Sequence, residues 1–452
     1  MEEIVALAKR RGFAYPSSDI YGGMANTWDF GHYGVLLKNN LRDAWWKRFV
    51  LDRDDMVGVE ASIFLNSKVW EASGHVAGFT DALVDCKDCH FRTRADHLIE
   101  DKLKDIKVEG LPVTKLTEII KERGLKCPRC GSAKLTDVRL FNLLFETKIG
   151  IVEDAKAKAY LRGEIAQGIF LNFKNVIDSM RVQIPFGIAQ QGKAFRNEIT
   201  MGQFIHRTLE FDLMEFEYFI SPREWEKQYQ YWQNEMWQFA KSLNLTESNL
   251  RWREHEEFER SHYSKKTMDI EYKYPFGWKE MWGIAYRSDF DLKNHMQHSG
   301  RNLQYTDKKT NKKYIPHVIE PTFGLSRLVG ILLFDRYREQ EVNGKKRVYL
   351  KLKPSLAPIK AAIFPLQKDE KLKKAATDIY RDLKKQWTVE FDDAGNIGKM
   401  YRRQDEIGTP YCVTIDYQTL EDNKVTIRDR DTMEQQRIAI EALSSYFKEK
   451  LL

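Results

Sequence analysis

The chain has 452 residues, of which 42% are hydrophobic and 31% charged, and its formal net charge is +7. This composition is ordinary for an enzyme and excludes a disordered chain or a membrane protein, because no apolar run approaches the length of a bilayer span. Five cysteines in so long a chain do not form a secreted disulfide framework. We therefore expect a cytoplasmic protein of two to four domains, whose basic excess is compatible with a polyanionic partner.

The N-terminal part of the chain is predicted to form two helices followed by a strand. Residues 2–12 have the pattern of a short basic helix, and residues 34–50 that of a helix with one apolar stripe. The residues of this stripe recur every four positions: Leu37, Leu41, Trp45 and Phe49. A strand is predicted at 56–59. An ordinary core helix would explain the stripe equally well.

Two Cys-x-x-Cys pairs bracket a charged, partly helical segment. The pairs are Cys86 with Cys89 and Cys127 with Cys130. Each two-residue spacer lets two thiolates of one tight turn reach one metal, and four thiolates are a ligand set of structural Zn²⁺. We therefore predict a zinc-binding insertion over residues 81–140. Reduced thiols without a metal are the alternative; a redox pair is disfavoured, because neither pair stands at a strand-to-helix turn.

A predicted hairpin in the middle of the chain carries the residues of a nucleotide site. Residues 195–199 are predicted as one strand and 211–219 as the next, so that Arg196 and Glu198 share one face. Arg196 can pair with a phosphate, Glu198 can accept from an exocyclic amine, and Phe211 can stack on a base. If Arg196 is considered alone, a surface ion pair explains its presence about as well as a phosphate contact does.

The segment after this hairpin is predicted to be helical throughout. Residues 222–245 carry an aromatic stripe that is typical of a core helix. Residues 246–275 are rich in Glu, Arg and His and are predicted as a helical excursion. We therefore expect a helical insertion at 222–275.

A second arginine lies at a predicted strand-to-helix junction. Residues 320–327 run Glu-Pro-Thr-Phe-Gly-Leu-Ser-Arg, which predicts a strand, a glycine turn and Arg327 at the start of an apolar helix. An arginine beside a helix start suits a phosphate. Two such arginine segments in one chain are harder to explain as surface ion pairs than either alone.

The last part of the chain has the pattern of a separate domain. Asn343 and Gly344 mark a tight turn, and Pro354 and Pro358 mark a linker. Strands and helices then alternate: strands at 361–364, 389–392, 411–416 and 424–428, and helices at 369–386, 397–406 and 432–449. This predicts an α/β domain over 356–452, of about 95 residues. A generic α/β interaction module has the same pattern.

The two arginine segments resemble motifs 2 and 3 of class II aminoacyl-tRNA synthetases, and they are most similar to the glycyl-tRNA synthetases of the homodimeric type. The resemblance also covers short stretches over nearly the whole chain: 17–23, 37–40, 44–46, 166–170, 283–285 and 287–289. The helix and strand over 34–59 match motif 1 in layout, which builds the dimer interface in this family. The resemblance therefore implies a homodimer.

The fold that the resemblance implies is α+β. A class II catalytic domain built on an antiparallel sheet would occupy 1–80 and 141–345, with the zinc-knuckle insertion at 81–140 and the helical insertion at 222–275. The domain at 356–452 resembles the anticodon-binding domain shared by the glycyl, threonyl, prolyl and histidyl enzymes.

The activity implied by the resemblance is the ATP-dependent attachment of glycine to its tRNA. Glycine would attack the α-phosphate of ATP to give glycyl-adenylate and pyrophosphate, and the tRNA ribose would then take the glycyl group and release AMP. Neither step needs a protein nucleophile, so catalysis would rest on positioning and on charge stabilisation. The resemblance also implies Mg²⁺ with ATP, with Glu280 and Glu320 as candidate ligands.

The resemblance assigns the ATP site to both arginine segments and to one later strand. Arg196 would hold the α-phosphate and Arg327 the γ-phosphate, and these are the two implied catalytic residues. Glu198 would accept from the adenine amine, and Phe211 would stack under the ring. The remaining implied ATP contacts are Asn197, His206, Arg207, Glu280, Met281 and Gly324.

Glycine offers no side chain, so the resemblance implies recognition through its ammonium group and exclusion of anything larger. The implied substrate-binding residues are Arg94, Glu164, Phe211, Glu215, Glu320 and Thr322. The chain departs from the family at Leu209, where arginine is frequent, and this removes one cation from the hairpin loop. Thr322 stands where serine is frequent and adds a methyl group to the pocket.

Two other functions share parts of this pattern. A synthetase for another amino acid would keep the ATP residues, but the acidic set argues against it. A non-catalytic, nucleic-acid-binding subunit of the same fold could lose its ATP residues freely. All the principal ones are present here, namely Arg196, Glu198, Phe211 and Arg327, which favours an active enzyme.

Overall fold

A seven-stranded sheet forms the centre of the computed structural model, which describes residues 1–103, 106, 108, 111–150, 158–198 and 203–451. The helices in these residues are α1 (Glu2–Arg10), α2 (His32–Trp46), α3 (Ser67–Ala72), α4 (His75–Gly78), α5 (Ala95–Lys102), α6 (Val113–Glu122), α7 (Ala166–Met180), α8 (Trp225–Ser242), α9 (Phe290–Ser299), α10 (Leu325–Arg336), α11 (Glu370–Leu383), α12 (Ile397–Ile407), α13 (Thr419–Asp422) and α14 (Leu443–Lys450). None of these described helices combines the length and apolar character that crossing a bilayer requires.

The strands in the same residues are β1 (Ala14–Pro16), β2 (Trp28–Phe30), β3 (Met56–Gly58), β4 (Phe64–Leu65), β5 (Thr80–Asp85), β6 (Arg92–Arg94), β7 (Arg139–Asn142), β8 (Glu146–Lys148), β9 (Lys158–Leu161), β10 (Phe186–Phe195), β11 (Glu210–Ile220), β12 (Leu250–Glu254), β13 (Lys266–Tyr274), β14 (Gly277–Ser288), β15 (Tyr305–Thr306), β16 (Lys313–Tyr314), β17 (His317–Gly324), β18 (Tyr337–Val342), β19 (Lys345–Leu350), β20 (Ala361–Pro365), β21 (Val389–Phe391), β22 (Tyr411–Ile415), β23 (Lys424–Asp429) and β24 (Gln435–Ala439).

The central sheet has the strand order β12-β13-β14-β17-β11-β10-β3. Its described neighbours pair antiparallel, except that β10 and β3 run parallel. Side chains alternate between the two faces of a strand. Phe216 on β11 therefore packs in the core built with α2, α8 and α10, and Phe219 packs in the core built with α7 and α9. The predicted antiparallel sheet is confirmed.

The insertion after α4 begins and ends on paired strands. Thr80 at the start of β5 lies opposite Asn142 at the end of β7, so the chain leaves and rejoins the body at one place. β6 completes this sheet, and α5 and α6 pack on it around Leu98 and Leu116.

The C-terminal domain confirms most of the predicted elements. Its sheet has the order β21-β20-β22-β23-β24, in which β20 pairs parallel with β21 and β22 and the other pairs are antiparallel. The predicted helix over 432–449 is wrong in its first part. Gln435–Ala439 is the edge strand β24, and the helical part is confined to a 3₁₀ turn at Ile440–Ala442 and the α-helix Leu443–Lys450. Pairing with β23 outweighs the helix propensity of the Glu and Gln residues in this segment.

The predicted helical insertion at 222–275 is also wrong in its second part. α8 is helical as expected, but β12 and β13 are consecutive strands of the central sheet. They alternate apolar and charged residues, as in Ile270-Glu271-Tyr272. Because β12 is the edge strand, its exposed face is charged, and this composition obscured the period of two.

The predicted strand over 195–199 is wrong beyond its first residue, because β10 ends at Phe195. The ladder between β10 and β11 closes with Phe195 opposite Glu210. The Arg196 amide still donates to the Leu209 carbonyl at 2.9 Å, but the Asn197 amide turns away to the Leu143 carbonyl at 2.8 Å. Arg196 and Glu198 therefore lie beyond the end of the strand rather than on one of its faces, and Ile199 lies outside the described residues.

Replacement of Ile363 by alanine is expected to lower the free energy of unfolding by about 2–5 kcal/mol, because it opens a cavity in the C-terminal core. Ile363 is fully buried there, whereas Ile20 is 89% exposed. Urea unfolding followed by circular dichroism measures both variants. Ile20→Ala is the matched control and should change stability by about 0.5 kcal/mol or less. Equal unfolding midpoints for the two variants would contradict the packing described.

Candidate active site

A cleft of about 760 Å³ opens on the face of the central sheet that α7 covers. Its wall comes from β11, β14, β17, the start of α10 and the β5–β6 part of the insertion. A second cleft of about 720 Å³ lies between α2 and the C-terminal domain and is lined by none of the predicted site residues. We therefore take the first cleft as the candidate site.

The Arg196 guanidinium lies at one side of this cleft between two aromatic rings. Its centre is 5.0 Å from the Phe79 ring and 5.4 Å from the Phe211 ring, and its Nε donates to the Gly163 carbonyl at 3.1 Å. Glu198 faces the same cleft, with its carboxylate 3.6 Å from Arg207. The predicted phosphate, base and amine contacts therefore meet in one wall.

Arg327 lies in the first turn of α10 and completes this side of the cleft. Its Nη1 is 2.9 Å from the Glu280 carboxylate, and its Nε donates to the His206 carbonyl at 3.2 Å. A Cβ on Gly324 would lie 3.3 Å from the Arg327 Cδ, so glycine leaves room for this side chain. A cation at a helix start and its free amides suit a phosphate group.

His206 is buried against the rings of Tyr274 and Phe276, whose centroids lie 4.7 and 5.5 Å away. Burial and the neighbouring Arg327 lower the pKa of His206 to about 2. The imidazole is therefore neutral at physiological pH. It can contribute packing and a hydrogen bond, but no positive charge.

Two predicted nucleotide contacts lie outside the wall. The Met281 side chain is fully buried in the core shared by α8 and α10, because it points to the opposite face of β14 from Glu280. Asn197 is absent from the described lining of the cleft. Only the Met281 backbone could contribute directly to a ligand here.

The inner end of the cleft is organised around Arg287, which is fully buried. Its Nε and Nη2 donate to Asp291 at 2.7 and 2.8 Å, and its Nη1 donates to Glu320 at 2.9 Å. Its Nη2 also lies 3.4 Å from Glu164. One guanidinium thus joins β14, α9, β17 and the segment before α7.

Glu164 is ionised in this network. Gln167 donates to it at 2.8 Å, and His75 Nε2 lies 3.3 Å away. Burial alone would raise the pKa of Glu164, but His75 and Arg287 outweigh burial and hold the pKa well below its usual range. Glu164 is therefore occupied by internal partners.

Glu215, Glu217 and Glu320 offer carboxylate oxygens that lie within 4.8 Å of one another, and all three side chains are buried. Thr322 donates to Glu215 Oε2 at 3.3 Å. Glu215 Oε1 and both Glu217 oxygens have no hydrogen-bond partner among the described residues. Burial and the neighbouring carboxylates raise the pKa of Glu215 and of Glu217 well above the usual range, and burial raises that of Glu320 to about 7.

Such a cluster is adapted to a small cation. Buried carboxylates repel one another and are costly unless they are paired. An ammonium group would supply the missing positive charge and donate to the free oxygens. The predicted residues Glu215, Glu320 and Thr322 do converge, and Glu164 also lines the cleft, although its carboxylate is engaged by Arg287, Gln167 and His75.

Sequence reasoning assigned no role to three residues of this network: Arg287, Glu217 and His75. Arg287 is an arginine at the end of the mostly apolar run 281–286, and a charge in such a run indicates a buried partner. Glu217 shares a strand face with Glu215, which the period of two could have shown. No pattern in the sequence around His75 indicated that it would be buried in this network.

The four predicted cysteine ligands also meet, although they lie apart from the cleft. Their Sγ atoms are all within 4.8 Å of one another, and the Cys86–Cys130 and Cys89–Cys127 distances are both 3.6 Å. Zinc–sulfur bonds of about 2.3 Å in a tetrahedron would separate the sulfurs by about 3.8 Å. The residues present therefore fit a zinc ion.

The same insertion brings Arg94 to the cleft. Arg94 ends β6, and its Nη1 lies 2.9 Å from Asp81 while its Nε donates to Asp96 at 3.0 Å. All three residues line the cleft. The predicted substrate-contacting arginine is therefore placed at the cleft by the folded insertion.

Comparison with known proteins finds two kinds of similarity in sequence. The family model of the anticodon binding domain matches residues 360–450. The glycine–tRNA ligases of Caldanaerobacter subterraneus subsp. tengcongensis and Clostridium tetani are each 53% identical to this chain, over 455 and 457 residues. Each alignment covers 100% of this chain and 98% of the relative.

Comparison of folds finds class II synthetases. The crystal structure of prolyl-tRNA synthetase from Cryptosporidium parvum, solved with halofuginone and AMPPNP, superposes with a TM-score of 0.65 at 16% identity. The superposition covers 99% of this chain and 74% of that one. This similarity supports the mixed α/β architecture with its antiparallel sheet.

Replacement of Arg287 by methionine is expected to cost about 3–5 kcal/mol of stability, because it leaves buried carboxylates without their cation. Arg287 lowers the pKa of Glu164 and of Glu320, so its removal raises both folded-state pKa values, and that of Glu320 is already raised to about 7. The contribution of these two carboxyl groups to the free energy of unfolding is then favourable at low pH, and it is lost as pH increases through their folded-state pKa. The stability deficit should therefore grow as pH rises, and for Glu320 this growth begins near pH 7, its folded-state pKa with Arg287 in place.

Urea unfolding at several pH values measures this deficit. Arg301→Met is the matched control, since Arg301 is exposed. A deficit that is independent of pH would show that Arg287 contributes packing alone.

Proposed function

The chain belongs to the glycine–tRNA ligase family and attaches glycine to tRNA, and on that premise we propose that its cleft does so through a glycyl-adenylate, with release of AMP and pyrophosphate. The observation that carries this proposal is the buried cluster of Glu215 and Glu320 at the inner end of a cleft whose outer wall holds Arg196 and Arg327. An amino acid bound by its ammonium at the acidic end would share one cleft with a nucleotide bound by the arginines.

The strand β11 supports this arrangement of the two reactants. Phe211 and Glu215 are both on its odd-numbered face and are about 13 Å apart along the strand, at ~3.3 Å per residue. We place the adenine on Phe211 beside Glu198 and the glycine ammonium on Glu215 and Glu320. A single rigid strand would then orient both reactants, and orientation accounts for much of the rate in such reactions.

The two arginines would supply the charge stabilisation. In the proposed first step the glycine carboxylate attacks the α-phosphorus, the bond to the β-phosphate oxygen breaks, and pyrophosphate leaves. Arg196 would balance the charge that develops at the α-phosphate, and Arg327 would bind the leaving group. In the second step the tRNA ribose hydroxyl attacks the glycyl carbonyl and AMP leaves.

The pocket would select glycine through its size and its charge. Thr322 donates to Glu215 and adds its methyl group beside the acidic cluster. A larger side chain would meet the buried walls around Glu320 and Arg287, and overlap with such walls is a stronger filter than the loss of a contact. Arg94 and Arg207 would then contact the substrate carboxylate or the tRNA end at the cleft mouth.

Mg²⁺ bound with ATP would neutralise phosphate charge. Of its two candidate ligands, Glu320 is buried and bound to Arg287, whereas Glu280 is 45% exposed beside Arg327. Mg²⁺ commonly keeps several waters and one or two carboxylates. We therefore propose Glu280 as the ligand.

We propose that Cys86, Cys89, Cys127 and Cys130 hold a structural Zn²⁺. The ion would hold the turn between β5 and β6, which carries Cys86 and Cys89, against the turn that carries Cys127 and Cys130. Because Arg94 lies on β6, the ion would also fix the position of Arg94. The fit of the four sulfurs to a tetrahedron supports this role.

The remaining parts of the proposal concern the whole molecule. We propose a catalytic core over 1–80 and 141–345, a zinc-binding insertion over 81–140 and an anticodon-binding domain over 356–452, which contains the matched residues 360–450. We also propose that the protein is a homodimer, because residues 34–59 have the layout of motif 1. We propose a cytoplasmic location because the reaction attaches an amino acid to tRNA.

Glycine-dependent exchange of pyrophosphate into ATP tests the proposed reaction. The purified protein should exchange faster with glycine than with alanine or serine, because only glycine fits beside Thr322. Replacement of Arg196 by alanine is expected to lower this rate by a factor of about 10²–10³, because the α-phosphate loses its cation.

Arg223→Ala serves as the matched control, since Arg223 is exposed and outside the cleft. Unchanged circular dichroism would show that Arg196→Ala is folded. Faster exchange with alanine or serine than with glycine would refute the substrate assignment, and binding of tRNA without any exchange would favour an accessory subunit.

Metal analysis of freshly purified protein should find about one zinc ion per chain, given four thiolate ligands. Substitution of Cys127 by serine should release this zinc and lower the thermal stability of the insertion. Cys412→Ser is the control, because Cys412 lies in the C-terminal core away from the other four cysteines. Metal-free protein with an unchanged melting curve would contradict the zinc site.

A further inference from the structure

Glu217 has no place in the reaction as described so far, although it is the most deeply buried carboxylate near the cleft. We propose that Glu217 acts as a neutral carboxylic acid that positions Glu215 and Glu320, the two groups that hold the glycine ammonium. This inference rests on the proposed function of the cleft.

The sheet places Glu217 next to both of these carboxylates, one on its own strand and one on the adjacent strand. It lies two residues from Glu215 on the same face of β11. The pairs Glu215–Thr322 and Tyr218–Ile319 between β11 and β17 flank it, so it stands in register with Glu320. Oxygens of the three carboxyl groups lie within 4.8 Å of one another.

The surroundings of Glu217 are otherwise apolar. Its side chain is fully buried and is not part of the described cleft lining. Its partner on β10 is Ile188, and the next residue on its face is Phe219, which packs on Phe173 of α7. A charge at this position would therefore have neither solvent nor a hydrogen-bonded counterion among the described residues.

The charges of the network leave no cation for Glu217. Arg287 is the one arginine hydrogen-bonded to these carboxylates in the described residues, and it is shared by Asp291, Glu320 and Glu164. Arg162 interacts with Glu215 electrostatically, but its hydrogen bonds go to backbone carbonyls. Glycine brings one further positive charge, which Glu215 and Glu320 would share.

The charged groups that face Glu217 come from its own strand, from β14 and β17, and from α9. Glu215 lies on its own strand, Glu320 on β17, Arg287 on β14 and Asp291 on α9. Burial is the largest influence and raises the pKa of Glu217, the two glutamates and Asp291 raise it further, and Arg287 alone lowers it. A proton on Glu217 relieves this repulsion.

A protonated Glu217 has a hydrogen-bond donor whose oxygen lies within 4.8 Å of an oxygen of Glu215 and of Glu320, so that a small rotation of the side chains would bring them into contact. Its O–H can donate to an oxygen of Glu215 or Glu320, and this would orient the remaining oxygens toward the ammonium. An ionised Glu217 would instead repel both groups. The neutral acid therefore sets the geometry of the ammonium site while adding no charge to it.

Two substitutions of similar size separate this role from simple packing. Glu217→Gln keeps a neutral side chain with a donor, and Glu217→Leu removes the donor. In glycine-dependent pyrophosphate exchange, Glu217→Gln should retain a glycine KM within about threefold of the unsubstituted protein. Glu217→Leu should raise the glycine KM by about 10- to 100-fold and leave the ATP KM unchanged, since a hydrogen bond to a charged group is lost.

Glu210→Leu is the matched control, because Glu210 lies on the same strand but is exposed. Its glycine KM and unfolding midpoint should match those of the unsubstituted protein. Equal losses in Glu217→Gln and Glu217→Leu would overturn the inference, because they would show that an ionised Glu217 is required. An unchanged glycine KM in Glu217→Leu would also overturn it.

A spectroscopic measurement tests the proton without reference to activity. The infrared difference spectrum between the unsubstituted protein and Glu217→Gln at neutral pH should contain the C=O band of a protonated carboxylic acid. A carboxylate band in its place would overturn the inference. Absence of glycine-dependent exchange in the unsubstituted protein would count against the proposed function, and the infrared result would still decide the state of Glu217.

Discussion

The buried guanidinium of Arg287 is the interaction on which the rest of the active site depends. It is fully buried and binds Asp291, Glu320 and Glu164, which come from three different parts of the chain. Removal of one partner from such a buried ionic group leaves an uncompensated charge, so the arrangement is held strongly in place. Because Arg287 is already shared by three carboxylates, Glu215 and Glu217 receive no hydrogen bond from it, and in the proposed function the substrate ammonium supplies the next positive charge to Glu215.

In the proposed function, the central sheet would combine these buried carboxylates with the nucleotide-binding residues in one site for two reactants. β11 carries an aromatic ring at Phe211, an acid at Glu215 and a core residue at Phe219, all on one face. The opposite face carries Phe216 into the main core, which keeps the strand rigid. A cleft built on such a strand holds its ligands at a fixed separation, as a reaction that relies on orientation requires.

The insertion and the C-terminal domain lie outside the central sheet. The insertion brings Arg94 to the cleft mouth beside Asp81. The C-terminal domain is joined through Arg347 of β19, which is buried and donates to Asp405 of α12 at 2.7 Å. Arg428 of β23 donates to the same carboxylate at 3.0 Å. This buried cluster ties the orientation of the C-terminal domain to the hairpin that follows α10.

The sequence by itself determined those features whose signal is local. The four-residue recurrence in α2, the paired cysteines and the strand–helix alternation of the C-terminal domain are all short-range patterns, and the structure shows the predicted helix, cluster and sheet. The motif residues Arg196, Phe211 and Arg327 also meet in one cleft as the resemblance implied.

Only the tertiary structure decided which residues meet across strands. β12 and β24 are edge strands whose charged or helix-favouring residues obscured their pairing, and the predicted helices there were wrong. Met281 and Glu280 are neighbours in sequence but lie on opposite faces of β14. The convergence of Arg287, Glu217 and Glu320 depends on the register of β11, β14 and β17, and register is set by the packing of whole sheets against helices, which no local pattern records.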